Sequence, residues 1–122
     1  MPIGAKGKLP QALTAEELAG ALAEVTECEC RAFSFGRGDI RTVGIISGGA
    51  SEDVDQAAAE GLDAYITGEF AHEQYHFAEE AGINVISGGH YGTEKMGVSL
   101  LKEKVEKELG LETVFFDLPT GL

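Results

Sequence analysis

The chain has 122 residues and a net charge of −12. That length fits one domain, and an apolar share of 43% is enough for an ordinary core. The acidity repels a phosphate backbone and argues against nucleic-acid binding; no run of about 18 apolar residues is present to span a membrane. The opening MPIGAKGKLP has no apolar signal-peptide core, so the reading is a cytoplasmic protein.

Residues 1–10, rich in Gly, Pro and Lys, read as an extended arm. LTAEELAGALAEV announces a helix. Thr14 is its N-cap, Glu17 completes a capping box, and Leu13 and Leu18 form the hydrophobic staple. Leu18, Leu22 and Val25 make its apolar stripe. Cys28 and Cys30 stand one residue apart, too tight for an ordinary disulfide, and read as small apolar residues. CRAFSF and IRTVGIIS read as two strands of a hairpin around the turn GRGD, whose Arg37–Asp39 triplet needs no role beyond turn chemistry.

Gly48-Gly49 ends the second of these strands. The run ISGGASED lacks the lysine of a P-loop and the full dinucleotide spacing, so it reads as a tight strand-to-helix turn, with Ser51 capping the helix that follows. Gly61 ends that helix and LDAYIT is the next strand. Phe70 to Ala81 is expected to be helical, stopped by Gly82, and INVIS is another strand. The longest helix runs from His90 or Tyr91 to Leu109, with Val98, Leu101, Val105 and Leu109 as its buried stripe and Gly110 as its stop. ETVFFDL reads as a last strand. Strands alternate with helices over most of the chain. The expected fold is a single α/β domain over residues 1–122, with a mixed, largely parallel sheet of about five strands flanked by helices.

All three histidines, His72, His76 and His90, fall in one short window with Glu69, Glu73 and Glu94. Glu69 and His76 are seven residues apart, two turns of one helix face if that segment is helical throughout. His72 and Glu73 read as solvated residues facing water, while for His76 the solvated and ligand readings stand open. His90 and Glu94 are four apart at a strand-to-helix junction, the usual address of sites in open α/β sheets. A divalent cation accepts imidazole and carboxylate together; the alternative is a capping histidine beside a solvated glutamate. Two donors fall short of the three protein ligands of a catalytic metal site.

The segment ITGEFAHEQYHFAEEAGINVISGGHYGTE, with TGE followed seven residues after its glutamate by His76 and then the GHYGTE box, resembles the signature of the GTP cyclohydrolase 1 type 2 homologues, also called the Nif-three-like dinuclear metal centre family. LPQALTAEELAGALAE and ETVFFDLP also resemble family segments, so the resemblance covers nearly the whole chain but only the C-terminal half of a typical member. It implies a Nif-three-like half and a divalent metal (zinc, iron, manganese or magnesium), with His90 and Glu94 as metal ligands. Glu69 and His76 are implied as catalytic residues lining the cleft.

The family's adjacent histidine pair and aspartate belong to its other half, and this chain has no His-His pair. The resemblance therefore implies an incomplete site, in an excised half or a short natural relative. The full form would be a metal-dependent hydrolase of the GTP cyclohydrolase type, acting on a small nucleotide-like ligand, with the isolated chain inactive. The alternative is a non-enzymatic metal-binding or protein-interaction module. The expected partners are a missing N-terminal half or further copies of the chain in an even-numbered homo-oligomer.

Overall fold

A computed structural model describes residues 3–122. Five strands form one mixed sheet in the order β1-β3-β4-β5-β2. The inner strands β3 (Ile40–Ile46), β4 (Ala64–Thr67) and β5 (Asn84–Ser87) run parallel, and β1 (Ala5–Leu13) and β2 (Arg31–Phe33) close the two edges antiparallel. The expected mixed, largely parallel sheet flanked by helices is therefore present.

Every residue of β4 is buried, because both faces of the sheet are covered there. Alternation sorts the side chains. Ala64, Ile66 and Ile86 point to one face and join Ile40, Val43 and the helix residues Ala15, Leu18 and Ala19. Tyr65 and Val85 point to the other, onto Val54, Ala57, Ala78 and Ile83. The first face is covered by α1 (Ala15–Thr26), the second by α2 (Val54–Ala59) and α3 (Tyr75–Ala81). The last helix, α4 (His90–Leu109), leaves the end of β5 and packs against α1.

Local chemistry explains most boundaries. The Thr14 hydroxyl accepts the Glu17 N–H at 3.1 Å, and the Glu17 carboxylate accepts the Thr14 N–H at 2.8 Å, the predicted capping box. Gly82 and Gly110 end α3 and α4 in the left-handed region, φ 68° and 63°.

Several expectations fail, each for a physical reason. The arm is drawn into the sheet from Ala5, where β1 pairs with β3; Pro10 falls where the register breaks between Lys8 and Leu13, a position an edge strand tolerates. Met1 and Pro2 lie outside the described residues. The hairpin does not form. β3 has both of its edges occupied, by β1 and β4, so β2 pairs with β5 instead. Asn84 fixes the connection between them: its side chain accepts the Gly36 N–H and donates to the carbonyls of Arg37 and Asp63. Arg37 and Asp39 form a bidentate ion pair within that connection.

Ser51 does not cap a helix. It opens a 3₁₀ turn, Ser51–Asp53, and its hydroxyl accepts the Ala71 N–H at 2.8 Å. ETVFFDL forms no strand, since the tail runs beside α4 where no sheet edge is available. The stripe of α4 is not buried within this chain: Val98, Leu101 and Leu109 are 57%, 60% and 67% exposed. Val25 of the α1 stripe is exposed as well. No helix among the described residues is long and apolar enough to cross a membrane.

Candidate metal centre

The three parallel strands end in register, Ile46 beside Thr67 and Thr67 beside Ser87. Their loops therefore emerge side by side, at the carboxyl ends where open α/β sheets place their sites. The β3 loop supplies Gly48-Gly49, the β4 loop Gly68-Glu69, and the β5 loop Gly88-Gly89 followed by His90 as the first residue of α4.

These loops bring Glu69, His90 and Glu94 together. His90 Nδ1 lies 2.5 Å from Glu69 Oε1, and His90 Nε2 lies 3.4 Å from Glu94 Oε1 one helical turn along. All three side chains are partly exposed. The Glu69 hydrogen bond raises the His90 pKa above its ordinary value; partial desolvation opposes this and the Glu94 charge adds to it.

The imidazole also carries a polarity. Glu69 on Nδ1 fixes the ring orientation and favours the tautomer whose Nε2 lone pair faces Glu94. Two ligands of one tetrahedral ion, each at ~2.0–2.1 Å, stand roughly 3.3 Å apart. The 3.4 Å separation of Nε2 and Glu94 Oε1 matches that spacing, whereas it is long for a strong charged hydrogen bond. The fit is to two donors only. Among the described residues no three His, Cys, Asp or Glu side chains are grouped to hold a metal ion, because Glu69 is spent on the far nitrogen of the ring.

His76 does not join the group. The segment Gly68–Ala71 is not helical, Ala71 is extended (φ −78°, ψ 150°), and α3 begins only at Tyr75 after a 3₁₀ turn, His72–Gln74. Glu69 and His76 therefore share no helix face. His76 is exposed and its Nδ1 meets Glu79 of its own helix at 3.4 Å. His72 and Glu73 are exposed on the 3₁₀ turn. Cys28 and Cys30 are free thiols, and burial raises the Cys30 pKa.

Sequence reasoning missed the glycines that let this cluster close. A Cβ on Gly48 would stand 2.3 Å from Glu94 Oε1 and 3.2 Å from His90 Nε2, and one on Gly49 would be 3.5 Å from His90 Cε1. Gly48 also holds φ at +71°, which a side chain resists. The only sequence signal was a Gly-Gly pair one residue past the end of a strand.

Comparison with known proteins agrees with the motif. The sequence matches the Duf34/NIF3 (NGG1p interacting factor 3) family over residues 1–120. It is 42% identical over 110 residues to the GTP cyclohydrolase 1 type 2 homolog of Treponema pallidum, covering 90% of this chain and 38% of that one. It is 41% identical over 120 residues to the protein of the same name from Archaeoglobus fulgidus, covering 98% and 47%. Among solved structures, the fold superposes on protein ybgI, a protein of unknown function, with a TM-score of 0.93 at 28% identity, covering all of this chain and 50% of that one. It also superposes on reduced HcgD from Methanocaldococcus jannaschii, with a TM-score of 0.77 at 25% identity, covering 90% and 44%. The chain spans about half the length of these relatives or less. By sequence and fold together, it belongs to the Duf34/NIF3 family.

Proposed function

We propose that this chain is one half of a metal site, in which His90 Nε2 and the Glu94 carboxylate hold a divalent ion and Glu69 orients the imidazole. The observation that carries this reading is the Glu69–His90–Glu94 row, with the outer carboxylate on Nδ1 and the second carboxylate at ligand spacing from Nε2. Zinc, iron, manganese and magnesium all accept this donor pair to differing degrees, with zinc and iron favoured by the imidazole. A bound ion of this kind supplies Lewis-acid chemistry.

The relatives' name supports a hydrolase of the GTP cyclohydrolase type, with a small nucleotide-like substrate, as the activity of the full-length form. In that form Glu69 works through His90 rather than as a free base, since its carboxylate already accepts the Nδ1 proton. The further donors must come from outside this chain: a second half, or another copy in an even-numbered homo-oligomer. A second reading, a metal-binding or interaction module without turnover, is favoured by the two-donor limit within the chain.

The test is metal content by elemental analysis after purification without added metal, for the wild-type chain and for His90→Ala. Metal in the first and none in the second is expected. Equal stoichiometry in both would end the proposal. Nucleotide hydrolysis by the metal-loaded protein separates the enzyme from the module.

A further inference from the structure

Gly48 is the junction at which the three strand-end loops meet. Its N–H donates to the Thr93 hydroxyl at 3.0 Å. Its carbonyl accepts from the Glu69 N–H at 3.0 Å, from the Ala50 N–H at 3.1 Å and from the Thr67 hydroxyl at 3.3 Å. Thr93 turns its own proton toward the Gly89 carbonyl at 2.9 Å, with the His90 carbonyl 3.2 Å from the same oxygen. One hydroxyl thus ties the β3 loop to the first turn of α4, and one carbonyl ties that loop to the backbone of Glu69.

The surroundings are shaped to this contact. A Cβ on Gly68 would lie 2.7 Å from both Thr93 Oγ1 and the Gly48 carbonyl, and one on Gly88 would lie 3.0 Å from Thr93 Cγ2. Two bare glycines are what allow Thr93 to approach. A back-bond from a threonine hydroxyl to its own helix is by itself slightly unfavourable. Here the same oxygen also accepts the Gly48 N–H, which would otherwise be a buried donor without a partner. Since the Gly48 backbone borders both His90 Nε2 and Glu94 Oε1, movement of this loop changes the space between those two atoms.

We propose that Thr93 is a positioning residue: its hydroxyl locks the Gly48 loop to α4 and so sets the spacing of His90 and Glu94 and the seat of Glu69 on Nδ1. The proposal rests on the metal-site reading above for its consequence, but not for its geometry. Thr93→Val keeps the branched shape and removes both hydrogen bonds. Thr93→Ser keeps the hydroxyl. Gly68→Ala keeps Thr93 and wedges the contact against backbone.

Zinc alone is titrated into each variant of this chain by calorimetry, with Tm measured alongside. Thr93→Val is expected to raise the zinc Kd roughly 10- to 100-fold, the range for groups that orient metal ligands. Thr93→Ser is expected to restore it, and Gly68→Ala to reproduce the loss. A merely structural threonine would lower Tm and leave the affinity of the folded protein unchanged. Thr93→Val binding zinc as tightly as wild type, where His90→Ala binds none, overturns the lock.

Wild type that takes up no zinc overturns the metal reading instead. The lock is then judged by the imidazole ¹⁵N resonances of His90 in metal-free protein at alkaline pH. The Nδ1-protonated tautomer is expected in wild type and Thr93→Ser, and a tautomer mixture in Thr93→Val. The wild-type tautomer retained in Thr93→Val overturns the proposal.

Discussion

The ends of the parallel strands and the outer part of α4 with its tail make an instructive pair. At the strand ends every element is braced by its neighbour: Gly48 is buried, Thr67 is fully buried, and Glu69, His90 and Glu94 interact with one another. Beyond the second turn of α4 the chain carries as much apolar patterning but little cover. Leu100, Leu101, Leu111, Val114, Phe116 and Leu118 are all more than half exposed. The tail is pinned at a few polar points, with the Tyr91 hydroxyl donating to Asp117 and the Leu122 carbonyl accepting the Tyr91 N–H. Periodicity identifies which face of a helix is apolar. It does not say whether this chain or another surface covers it.

The largest expected effect tests the covered side of that comparison. Ile86 is fully buried between β4, β2 and α1. Ile86→Ala is expected to cost roughly 2–5 kcal/mol by loss of transfer energy plus a cavity. Urea denaturation reads this directly. A loss below ~1 kcal/mol would mean that the sheet core collapses around the gap or is not packed as described.

The next effect depends on pH. The Asp63 carboxylate is 13% exposed and accepts the N–H groups of Arg41 and Thr42 and the Thr42 hydroxyl. Burial alone would raise its pKa, but these hydrogen bonds and the Arg37 charge outweigh burial, and the net shift is downward. A carboxyl lowered on folding contributes stability that is present above its unfolded pKa and is lost as pH falls through the folded one. Stability should therefore fall by this contribution as pH drops below about 4, the unfolded value for aspartate. Asp63→Asn should cost roughly 1–3 kcal/mol at neutral pH, through poorly matched donors, and should flatten the acid limb of stability against pH. An unchanged acid limb would show that Asp63 does not supply it.

How much of this was legible in the sequence follows from how local each signal is. The capping box at Thr14 and Glu17, the glycine stops at Gly82 and Gly110, and the buried runs AYIT and NVIS are decided within a few residues, and all were readable. Strand β1 was not, because an edge strand with Lys6, Gly7, Lys8 and Pro10 has the composition of a loop; these are the residues that keep an edge from pairing further. The β2–β3 hairpin was misread because proximity in sequence favours pairing, while β3 was already paired on both sides.

At the candidate site the i, i+4 spacing placed His90 and Glu94 together. It could not reveal that the segment after Glu69 departs from a helix and leaves His76 elsewhere. Thr93 was invisible for a related reason: its partner Gly48 lies 45 residues away, and nothing in either local sequence encodes the contact.

A smaller effect tests a local signal on its own. Thr14→Ala removes the side-chain acceptor for the Glu17 N–H and half of the reciprocal box. The expected cost is about 1 kcal/mol, within the usual range for N-cap loss. A thermal melt showing no decrease would mean that the Leu13–Leu18 staple and core packing alone hold the start of α1.

The smallest expected effect sharpens the uncovered side. Leu101 has the periodicity of a core residue but is 60% exposed. In the isolated chain, Leu101→Ala should change stability by less than ~0.5 kcal/mol, as for surface positions generally. The same substitution has a different meaning in an assembly. If a second copy or another chain seats on this face, the stripe of Val98, Leu101, Val105 and Leu109 becomes buried there, and truncating Leu101 weakens association rather than folding. Sedimentation equilibrium and denaturation on the same two proteins separate these terms. A weaker oligomer with unchanged unfolding at low protein concentration would identify the stripe as an interface. Unchanged association with a stability loss of roughly 2–5 kcal/mol would instead place Leu101 in a core of the chain itself, contradicting its exposure. No change in either would leave α4 apolar but uncovered at this point, and would move the search for a binding surface to the exposed tail residues Val114, Phe116 and Leu118.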